Sequence, residues 1–526
     1  MERDALIYEA DVLVIGGGLA GTWAAVAAAR AGATVILAEK GYCGTSGVTA
    51  SAGPGHWWVP PGKRAEAVAA RNARAFGLAD TSWMARIVET TWESIPRLAG
   101  YYRFSLDDGG APRHRALRGP EYMRAMRRYA EDSGVAILDQ SPALELLRHA
   151  DGSVAGAAGY ARQRRRPWQV RAAAVVLASG GCAFASHLLG SRTNTGDGLL
   201  MAAEAGARLS GMEFTSYYTV APAWSSMTRS MSFAFARYFD AAGRELPIPP
   251  GQDATRTLAR ALLDGPVFAT LERMPAEIRA VLSRISPNFL LAFDRAGVDP
   301  FTQRFEIALR GEGTVRGIGG LRIADRACQT DVPGLFAAGD AATRELIAGA
   351  TSGGGAQNSS WALSSGQWAG EGAAQRARML GRRANRRVER IGGAGLRSGA
   401  ARAASEQETA ALIDLIRDEN LAYDKNLFRS EEKLTRSLAK LDGAWSEIRS
   451  RSAPSGAASL RLREIAAMLA ASRWSGRAAL ARGESRGMHQ RTDRPATEPA
   501  LAHRLIASGL DRVEIAADVA PQTKVA

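Results

Sequence analysis

Short apolar runs recur along the chain, and each of them stops at a glycine or another small residue. The first run, residues 11–15, is rich in β-branched residues and leads through a glycine-rich turn into an alanine-rich stretch that ends at Arg30. This order is typical of a strand, a tight turn and a helix. A second apolar run, residues 34–38, ends at Glu39. Residues 11–39 therefore predict a βαβ unit.

The glycines of the first turn have the spacing of a dinucleotide-binding loop. Gly16, Gly18 and Gly21 form a GxGxxG pattern directly after the first strand. In such a loop the first glycine makes the turn, the second lets the backbone approach a pyrophosphate, and the third lets the helix pack on the strand. The helix directs free N–H groups at the phosphates. Glu39 is placed to accept hydrogen bonds from ribose hydroxyls. An ordinary α/β turn is the alternative interpretation.

Two later segments favour FAD over NAD as the dinucleotide. The apolar run 173–178 stops at Ser179-Gly180-Gly181, and the run 334–338 stops at Gly339-Asp340 before a predicted helix. A flavin cofactor is long and needs access to the backbone along its whole length. Asp340 would hold the ribitol or a water linked to the pyrophosphate. Each segment alone is also compatible with a structural strand end.

The remaining pattern predicts a multi-domain α/β protein. Residues 213–315 lack a nucleotide signature and contain several prolines, and residues 405–480 have the periodicity of amphipathic helices. We expect a Rossmann-like FAD-binding domain interrupted by an α+β capping domain and followed by a C-terminal helical domain. The expected boundaries are 1–212 and 316–375 for the FAD-binding domain, 213–315 for the capping domain, 376–404 for a basic linker, and 405–526 for the helical domain with a terminal extension.

The composition limits the kinds of partner and cofactor. The formal net charge is +14, carried by 61 arginines and 6 lysines that are dispersed along the chain. Such a charge suits nucleic acid, a membrane surface or an acidic protein, but no nucleic-acid recognition motif accompanies it. Cys43, Cys182 and Cys328 lie far apart, which argues against a cysteine-ligated iron–sulfur or zinc site within the chain. No apolar run approaches the roughly 20 residues of a membrane span, and we expect a cytoplasmic protein without a leader.

Three further motifs complete a resemblance to a known family. They are Thr195-Gly196-Asp197-Gly198, Met212-Glu213-Phe214, and the segment 484–489, which reads ESRGMH. With the glycine turns, they resemble the succinate dehydrogenase and fumarate reductase flavoprotein superfamily, which includes L-aspartate oxidase, adenylylsulfate reductase and 3-ketosteroid dehydrogenase. The resemblance implies an FAD-dependent oxidoreductase with the domain order given above. It also implies that His489 anchors the helical domain.

The sequence departs from this family where respiratory members attach FAD covalently. Those members carry a histidine in a Ser-His-Thr sequence after the ribose-binding strand, whereas this chain has Ser46-Gly47-Val48. We therefore expect non-covalent FAD.

The family's dicarboxylate ligands are also absent. The two family histidines fall at Tyr218 and Val315, and the family arginine falls at Ser352 or Gly353. Two buried carboxylates need cationic donors. Succinate, fumarate and aspartate are therefore not the expected substrates. The replacement loop, residues 351–358, resembles the glycine-rich loop of ketosteroid dehydrogenases, in which backbone N–H groups would face the flavin. A glycine turn without a catalytic role is the alternative.

These arguments give two sets of candidate residues. Cofactor binding is assigned to Gly16, Gly18, Leu19, Ala20, Gly21, Glu39, Lys40, Ser46, Gly47, Ala178, Ser179, Gly180, Asp197, Gly339, Asp340, Gly355, Asn358 and Ser359. The histidine of the substrate set would be an acid or base, the tyrosines would polarise a carbonyl or take a proton, and the arginines would hold an anionic group. This set is His56, Tyr217, Tyr218, Arg316 and Arg344. Each of these five side chains also has a purely structural interpretation.

Three functions stay open at this point. The first is hydride transfer between a small organic substrate and FAD. The second is an FAD-binding electron-transfer subunit with an iron–sulfur or other redox partner, for which an acidic electron-transfer protein would suit the basic surface. The third is an arginine-rich nucleic-acid binder that retains a flavin fold.

Overall fold

A mixed eight-stranded sheet forms the centre of the computed structural model, which describes residues 5–227, 231–249, 252–352, 354–381, 387–397, 404–451 and 457–518. The strands are β1 (Leu6–Ile15), β2 (Val35–Ala38), β3 (Ala136–Leu138), β4 (Ala143–Arg148), β5 (Val154–Ala161), β6 (Arg166–Leu177), β13 (Leu335–Ala337) and β14 (Glu389–Arg390). Their order is β14-β4-β5-β6-β1-β2-β3, and β13 pairs with the second half of β6. The central strands pair in parallel, whereas β4, β5 and β14 join antiparallel.

The carboxyl ends of four parallel strands meet at one edge of this sheet. Ile15 pairs with Ala38 and with Leu177, and Leu177 also pairs with Ala337. Because these are the last residues of their strands, the four segments that follow them start side by side. Ligands of open α/β sheets bind outside such carboxyl ends.

Glycines let the two main helices of this region pack closely. The helices of the region are α1 (Leu19–Arg30), α2 (Arg64–Asn72), α3 (Thr81–Ser94), α4 (Gly119–Asp132), α5 (Asp197–Glu204), α9 (Gly313–Arg316), α10 (Glu345–Ala348) and α11 (Gly354–Leu380). A side chain at Gly366 would meet the carbonyl oxygen of Ala20 at 2.4 Å, and one at Gly370 would meet that of Ala24 at 2.2 Å. The long helix α11 therefore lies directly on α1, with its first turn at the carboxyl edge of the sheet.

A second, antiparallel sheet lies within the segment expected to cap the site. The strands are β8 (Tyr218–Pro222), β9 (Arg237–Phe239), β10 (Phe268–Thr270) and β11 (Phe305–Gly311), and the helices are α6 (Gln252–Asp264), α7 (Ala276–Ile285) and α8 (Pro287–Ala296). The sheet order is β8-β11-β10-β9, and its core contains the aromatic residues Phe289, Phe293 and Phe305 in mutual contact. This region is α+β, with its own apolar core.

The C-terminal region is helical and ends in a hairpin that the sequence did not predict. Its elements are α12 (Glu406–Leu421), α13 (Tyr423–Asn426), α14 (Glu431–Ser450), α15 (Ala457–Ala481), β15 (Leu505–Ser508) and β16 (Glu514–Ala517). Two short strands from earlier in the chain, β7 (Leu209–Ser210) and β12 (Gly320–Leu321), pair with each other. The hairpin of β15 and β16 adds to β7, so the end of the chain joins a third sheet of order β12-β7-β15-β16.

The segment expected to be a basic linker contributes a strand, because β14 extends the edge of the central sheet beside β4. Residues 382–386 and 398–403 of that segment, and 519–526 of the expected terminal extension, lie outside the described residues. Within the described ranges, no helix combines the length and apolarity needed to cross a membrane. The described side chains also contain no group of three or more His, Cys, Asp or Glu residues that could bind a metal.

Candidate active site and cofactor cavity

A cavity of about 440 Å³ lies at the carboxyl edge of the central sheet. All of the residues assigned to the cofactor line it, except Gly21. Other lining residues were not assigned to the cofactor from the sequence; they follow the assigned ones in loops or come from distant segments. They include Val48, Thr49, Ala52, Gly53, Pro54, Gly55, Pro142, Thr193, Asn194, Val315 and Ala356.

The glycine turn has the close contacts that its spacing predicted. Gly16 has a φ of +108°, and a side chain there would meet the carbonyl oxygen of Ala178 at 2.4 Å. A side chain at Gly21 would lie 1.7 Å from the carbonyl oxygen of Gly16. By contrast, a side chain at Gly18 would have no protein atom within 4 Å and would project into open space. Two glycines are thus required by the protein itself, while Gly18 leaves room at the start of α1 for a phosphate.

Glu39 stabilises this turn directly. Its Oε2 accepts a hydrogen bond from the backbone N–H of Gly17 at 2.5 Å, and its Oε1 accepts one from Gly41 at 2.6 Å. Each carboxylate oxygen can accept a further hydrogen bond. The side chain lines the cavity, and the two backbone N–H groups hold it in place. Its hydrogen bond to a ribose hydroxyl stays a prediction that this position is compatible with.

Lys40 connects this end of the cavity with the C-terminal helices. Its ammonium group lies 2.7 Å from Asp197, 2.7 Å from Glu464 in α15, and 2.8 Å from the hydroxyl of Thr195. Burial alone would lower the pKa of Lys40, but Asp197 and Glu464 outweigh it and raise the pKa above its usual value. Glu464 was not identified from the sequence, where it lies in an ordinary amphipathic helix.

The far end of the cavity is formed by the Gly339 turn and the first turns of α11. Trp361 Nε1 donates to the carbonyl oxygen of Gly339 at 3.0 Å, and the Gly339 N–H donates to Ser365 Oγ at 3.0 Å. Asn358 lines the cavity and is buried, yet neither atom of its amide group has a hydrogen-bond partner among the described residues. The Oδ1 atom of Asn194 is in the same situation.

These features fit a flavin dinucleotide. Buried polar atoms without partners are rare in proteins, and the amide group of Asn358 and the Oδ1 of Asn194 belong to residues that line a cavity where a polar heterocycle or a ribitol would satisfy them. Gly47 and Gly355, like Gly18, would carry a side chain without meeting any protein atom within 4 Å. The cavity therefore has backbone without side chains at three separate places in its lining, which suits the close approach of a long cofactor.

His56 does not line the cavity. It is fully buried behind Gly55, its Nδ1 has no hydrogen-bond partner among the described residues, and its Nε2 lies 3.5 Å from the hydroxyl of Tyr122. Burial lowers the pKa of His56 to about 3, so the imidazole is neutral at neutral pH. Its role as an acid or base stays a prediction without a cavity contact to support it.

The two adjacent tyrosines lie in different environments. Tyr218 is buried against the C-terminal helices, where its hydroxyl donates to the carbonyl oxygen of Leu421 at 3.0 Å and accepts from Asn426 at 3.0 Å. Burial raises the pKa of Tyr218. Tyr217 instead contacts a cavity residue, because its hydroxyl accepts a hydrogen bond from Arg316 at 2.9 Å.

Arg316 and Arg344 also differ. Arg316 is half-buried and lines the cavity. Arg344 is fully buried and does not line it; its guanidinium pairs with Asp340 and donates to the carbonyl oxygens of Thr314, Val315 and Gly317. Arg344 therefore fixes the Gly339–Asp340 turn against the segment that returns from the capping sheet. Its two terminal nitrogens are used in this way, whereas its Nε has no hydrogen-bond partner among the described residues. A role of Arg344 in holding an anionic group stays a prediction without a cavity contact to support it.

The ESRGMH segment forms a buried charged network beneath this site. Arg482 bridges Glu213 and Glu484, and Arg486 also pairs with Glu484. His489 Nδ1 lies 2.8 Å from Arg429. The network joins the C-terminal region to Glu213, which agrees with an anchoring role for His489.

The family's dicarboxylate ligands correspond to four candidate positions in this chain. Among the positions that the structure describes, one lines the cavity. Val315 lines it with an apolar side chain, Tyr218 faces the C-terminal helices, Ser352 is not among the lining residues, and Gly353 lies outside the described residues.

Comparisons with known proteins agree with this geometry. A model of the FAD binding domain matches residues 11–75 and 97–234, and a model of the fumarate reductase flavoprotein C-terminus matches residues 419–516. The chain is 30% identical to L-aspartate oxidase of Mycobacterium leprae over 64% of this chain and 69% of the relative. It is 26% identical to one subunit of the fumarate reductase (CoM/CoB) of Methanothermobacter marburgensis over 94% of this chain and 96% of the relative.

A solved structure of quinol fumarate reductase from E. coli has the same fold, with a TM-score of 0.81 at 20% identity over 98% of both chains. The matches thus include both the dinucleotide-binding region and the C-terminal region, and they agree with an FAD cavity at the sheet edge. The protein is an FAD-dependent oxidoreductase that belongs to the succinate dehydrogenase and fumarate reductase flavoprotein superfamily.

Proposed function

We propose that the protein transfers a hydride between FAD and a small organic substrate that is not a dicarboxylate. The observation that carries this proposal is the small number of cationic side chains that line the cavity. Among the described residues that line it, the cationic side chains are Lys40 and Arg316. Lys40 already pairs with two carboxylates. A single cation does not balance two buried carboxylates.

The residues around the flavin end have roles that follow from their position. Bound FAD supplies the hydride acceptor atom, flavin N5. The first turn of α11 directs its free N–H groups and the positive end of its dipole toward the cavity, which favours negative charge there. Asn358 offers one amide N–H₂ and one carbonyl oxygen to the same region. Gly355 contributes backbone without a side chain, so that the flavin can approach the first turn of α11 closely.

The experiment is a substrate screen on the purified holoprotein. Organic acids, enones and amines are mixed with the protein and an artificial electron acceptor, and the absorbance of the flavin and of the acceptor is followed. We expect turnover with at least one compound that is not a dicarboxylate, and none with succinate, fumarate or aspartate. The control is protein from which FAD has been removed. Turnover of a dicarboxylate at rates above this control would overturn the proposal.

A second candidate function is that of an FAD-binding electron-transfer subunit. The M. marburgensis relative is named as one subunit of a fumarate reductase, and the net charge of +14 suits an acidic redox partner, for example an iron–sulfur protein. For an obligate subunit we expect no turnover of the isolated chain with any compound of the screen, although the flavin is still reduced by a chemical reductant. A cytoplasmic location also stays a prediction.

A further inference from the structure

Arg316, which is half-buried, differs from Lys40 and Arg344 because it has no anionic partner within 4.0 Å among the described residues. It is the last residue of α9, where the chain returns from the capping sheet, and its side chain lines the cavity. No carboxylate of the described residues lies within 4.0 Å of its guanidinium, and its Nε is buried without a hydrogen-bond partner. Arg344, by contrast, has both a carboxylate and three carbonyl oxygens.

The charge on Arg316 is retained in spite of this burial. Burial lowers the pKa of its guanidinium, but the more distant Glu312 and Asp340, together with the Tyr217 hydroxyl, outweigh it and keep the pKa above its usual value. A desolvated cation without a hydrogen-bonded counter-charge is unfavourable. An anionic ligand in the cavity would remove this cost.

Tyr217 shapes the position that such a ligand would take. Its hydroxyl accepts the hydrogen bond from Arg316 Nη2 at 2.9 Å, and the guanidinium carbon lies 5.0 Å from the centre of its ring. The hydroxyl hydrogen is then free to point toward a second acceptor. A planar guanidinium next to a phenol hydroxyl matches the two oxygens of one carboxylate.

The lining of the same cavity includes the apolar side chains of Val48, Ala52, Pro54, Val315 and Ala356, while Lys40, the other cation among the described lining residues, already pairs with two carboxylates. The apolar side chains suit a hydrocarbon body. We propose that Arg316 and Tyr217 form a subsite for a single carboxylate, so that the substrate is a small monocarboxylate with an apolar remainder. This inference rests on the proposed hydride-transfer function and names its substrate class.

The test is a binding measurement that needs no turnover. Holoprotein is titrated with acetate, propionate and benzoate, and with malonate and succinate, while the visible spectrum of the flavin is recorded. We expect monocarboxylates to perturb the spectrum with saturation. In Arg316→Gln the dissociation constant should rise at least about tenfold, because a charge-assisted pair is lost. Arg316→Lys should retain part of the affinity, and Tyr217→Phe should weaken binding by about threefold.

The matched control is Arg310→Gln, which removes one positive charge from an arginine whose Nη2 binds the carbonyl oxygen of Ala223. It should bind monocarboxylates like the unmodified protein. Equal affinities in Arg316→Gln and the unmodified protein would overturn the subsite and leave the proposed function standing. Tighter binding of malonate or succinate than of the monocarboxylates would overturn both the subsite and the proposal that the substrate is not a dicarboxylate. Loss of FAD from Arg316→Gln would also overturn the carboxylate subsite, since Arg316 would then pair with the cofactor. A colourless unmodified protein would overturn both proposals.

Discussion

Glu345 is a carboxyl group that the fold keeps protonated. It is fully buried at the start of α10, next to Arg344 in the chain. Ser210 Oγ donates a hydrogen bond to its Oε2, while its Oε1 has no partner within the described part of the chain. Burial, followed by the negative charge of Glu213, raises the pKa of Glu345 from 4.5 to about 8 against the opposing charges of Arg482 and Arg504. At neutral pH this side chain is uncharged.

The raised pKa makes the stability of the protein depend on pH. The folded state holds the proton more tightly than the unfolded chain, so the stabilising contribution is complete below pH 4.5 and is lost as the pH rises to about 8. Glu345→Gln has the same size and does not titrate. We expect its melting temperature to fall less than that of the unmodified holoprotein between about pH 5 and about pH 9.

Glu213→Gln is the control for this experiment. Glu213 Oε1 accepts a hydrogen bond from Arg482 Nε at 2.7 Å, and both side chains are buried. Removing the carboxylate leaves a buried cation with less counter-charge, which costs about 3–5 kcal/mol. We therefore expect Glu213→Gln to be destabilised at every pH. If the melting temperatures of Glu345→Gln and the unmodified protein fall equally between these pH values, Glu345 does not titrate in this range.

The mode of flavin attachment is also decided by single residues. Gly47 occupies the position of the family histidine that forms the covalent bond, and no histidine is among the described residues that line the cavity. We expect acid precipitation to release all of the FAD into the supernatant and to leave a colourless pellet. The readout is the flavin absorbance of both fractions. A pellet that stays yellow after washing would mean that another side chain forms a covalent bond.

At the scale of single elements, the glycine before the first turn of α1 is needed for the ligand and not for the fold. Gly18 has a φ of −74° and a ψ of −169°, which other residues adopt, and its added side chain would meet no protein atom within 4 Å. Gly18→Ala should therefore leave the melting temperature of the apoprotein unchanged. The methyl group takes up space beside the pyrophosphate, so FAD affinity should fall at least about tenfold.

Gly62→Ala is the matched control for the variant at Gly18, because Gly62 also has free space around its added side chain and lies outside the cavity. FAD affinity is measured by fluorescence titration of the apoproteins. If Gly18→Ala binds FAD as tightly as Gly62→Ala, the pyrophosphate does not lie on this turn.

At this scale, the sequence predicts correctly those features whose residues lie close together along the chain. The βαβ unit, the glycine turn and Glu39 lie within residues 11–39, so spacing and apolar pattern describe them fully. The pairing of β15 with β7 joins residues about three hundred positions apart, and two short strands without a strong pattern give no signal for it. The hydroxyl of Tyr217 contacts Arg316 whereas that of the next residue, Tyr218, contacts Leu421, and adjacent positions in a sequence do not reveal this difference.

At the scale of the whole molecule, the cavity is lined by segments that lie far apart along the chain between residues 15 and 362. Strand ends of the central sheet form its floor, the segment returning from the capping sheet brings Val315 and Arg316, and α15 brings Glu464 to Lys40. Arg463, the neighbour of Glu464, pairs with Glu204 at the end of α5. The helical region is thus held beside the ribose end of the cavity by charged pairs. FAD binding and the docking of these helices should be coupled.

Glu464→Gln tests this coupling. The change keeps the size of the side chain but removes one of the two carboxylates that pair with Lys40, and both partners are largely buried. Lys40 is then held less firmly at the ribose end, so FAD affinity should fall roughly threefold to tenfold. Saturating FAD at about 100 times its dissociation constant stabilises a folded protein by about 2.7 kcal/mol. At one fixed FAD concentration, the variant should therefore gain less in melting temperature than the unmodified protein.

Glu432→Gln in α14 removes the same charge from an exposed pair with Arg436 and serves as the control for the variant at Glu464. At the same FAD concentration, its melting temperature should rise as much as that of the unmodified protein. Proteolysis of the apoprotein and holoprotein, with the fragments mapped to residues 405–518, gives a second readout. For Glu464→Gln we expect FAD to protect this region less. Equal protection in both variants would mean that the helical region docks independently of the cofactor and that the Lys40–Glu464 pair does not link the two.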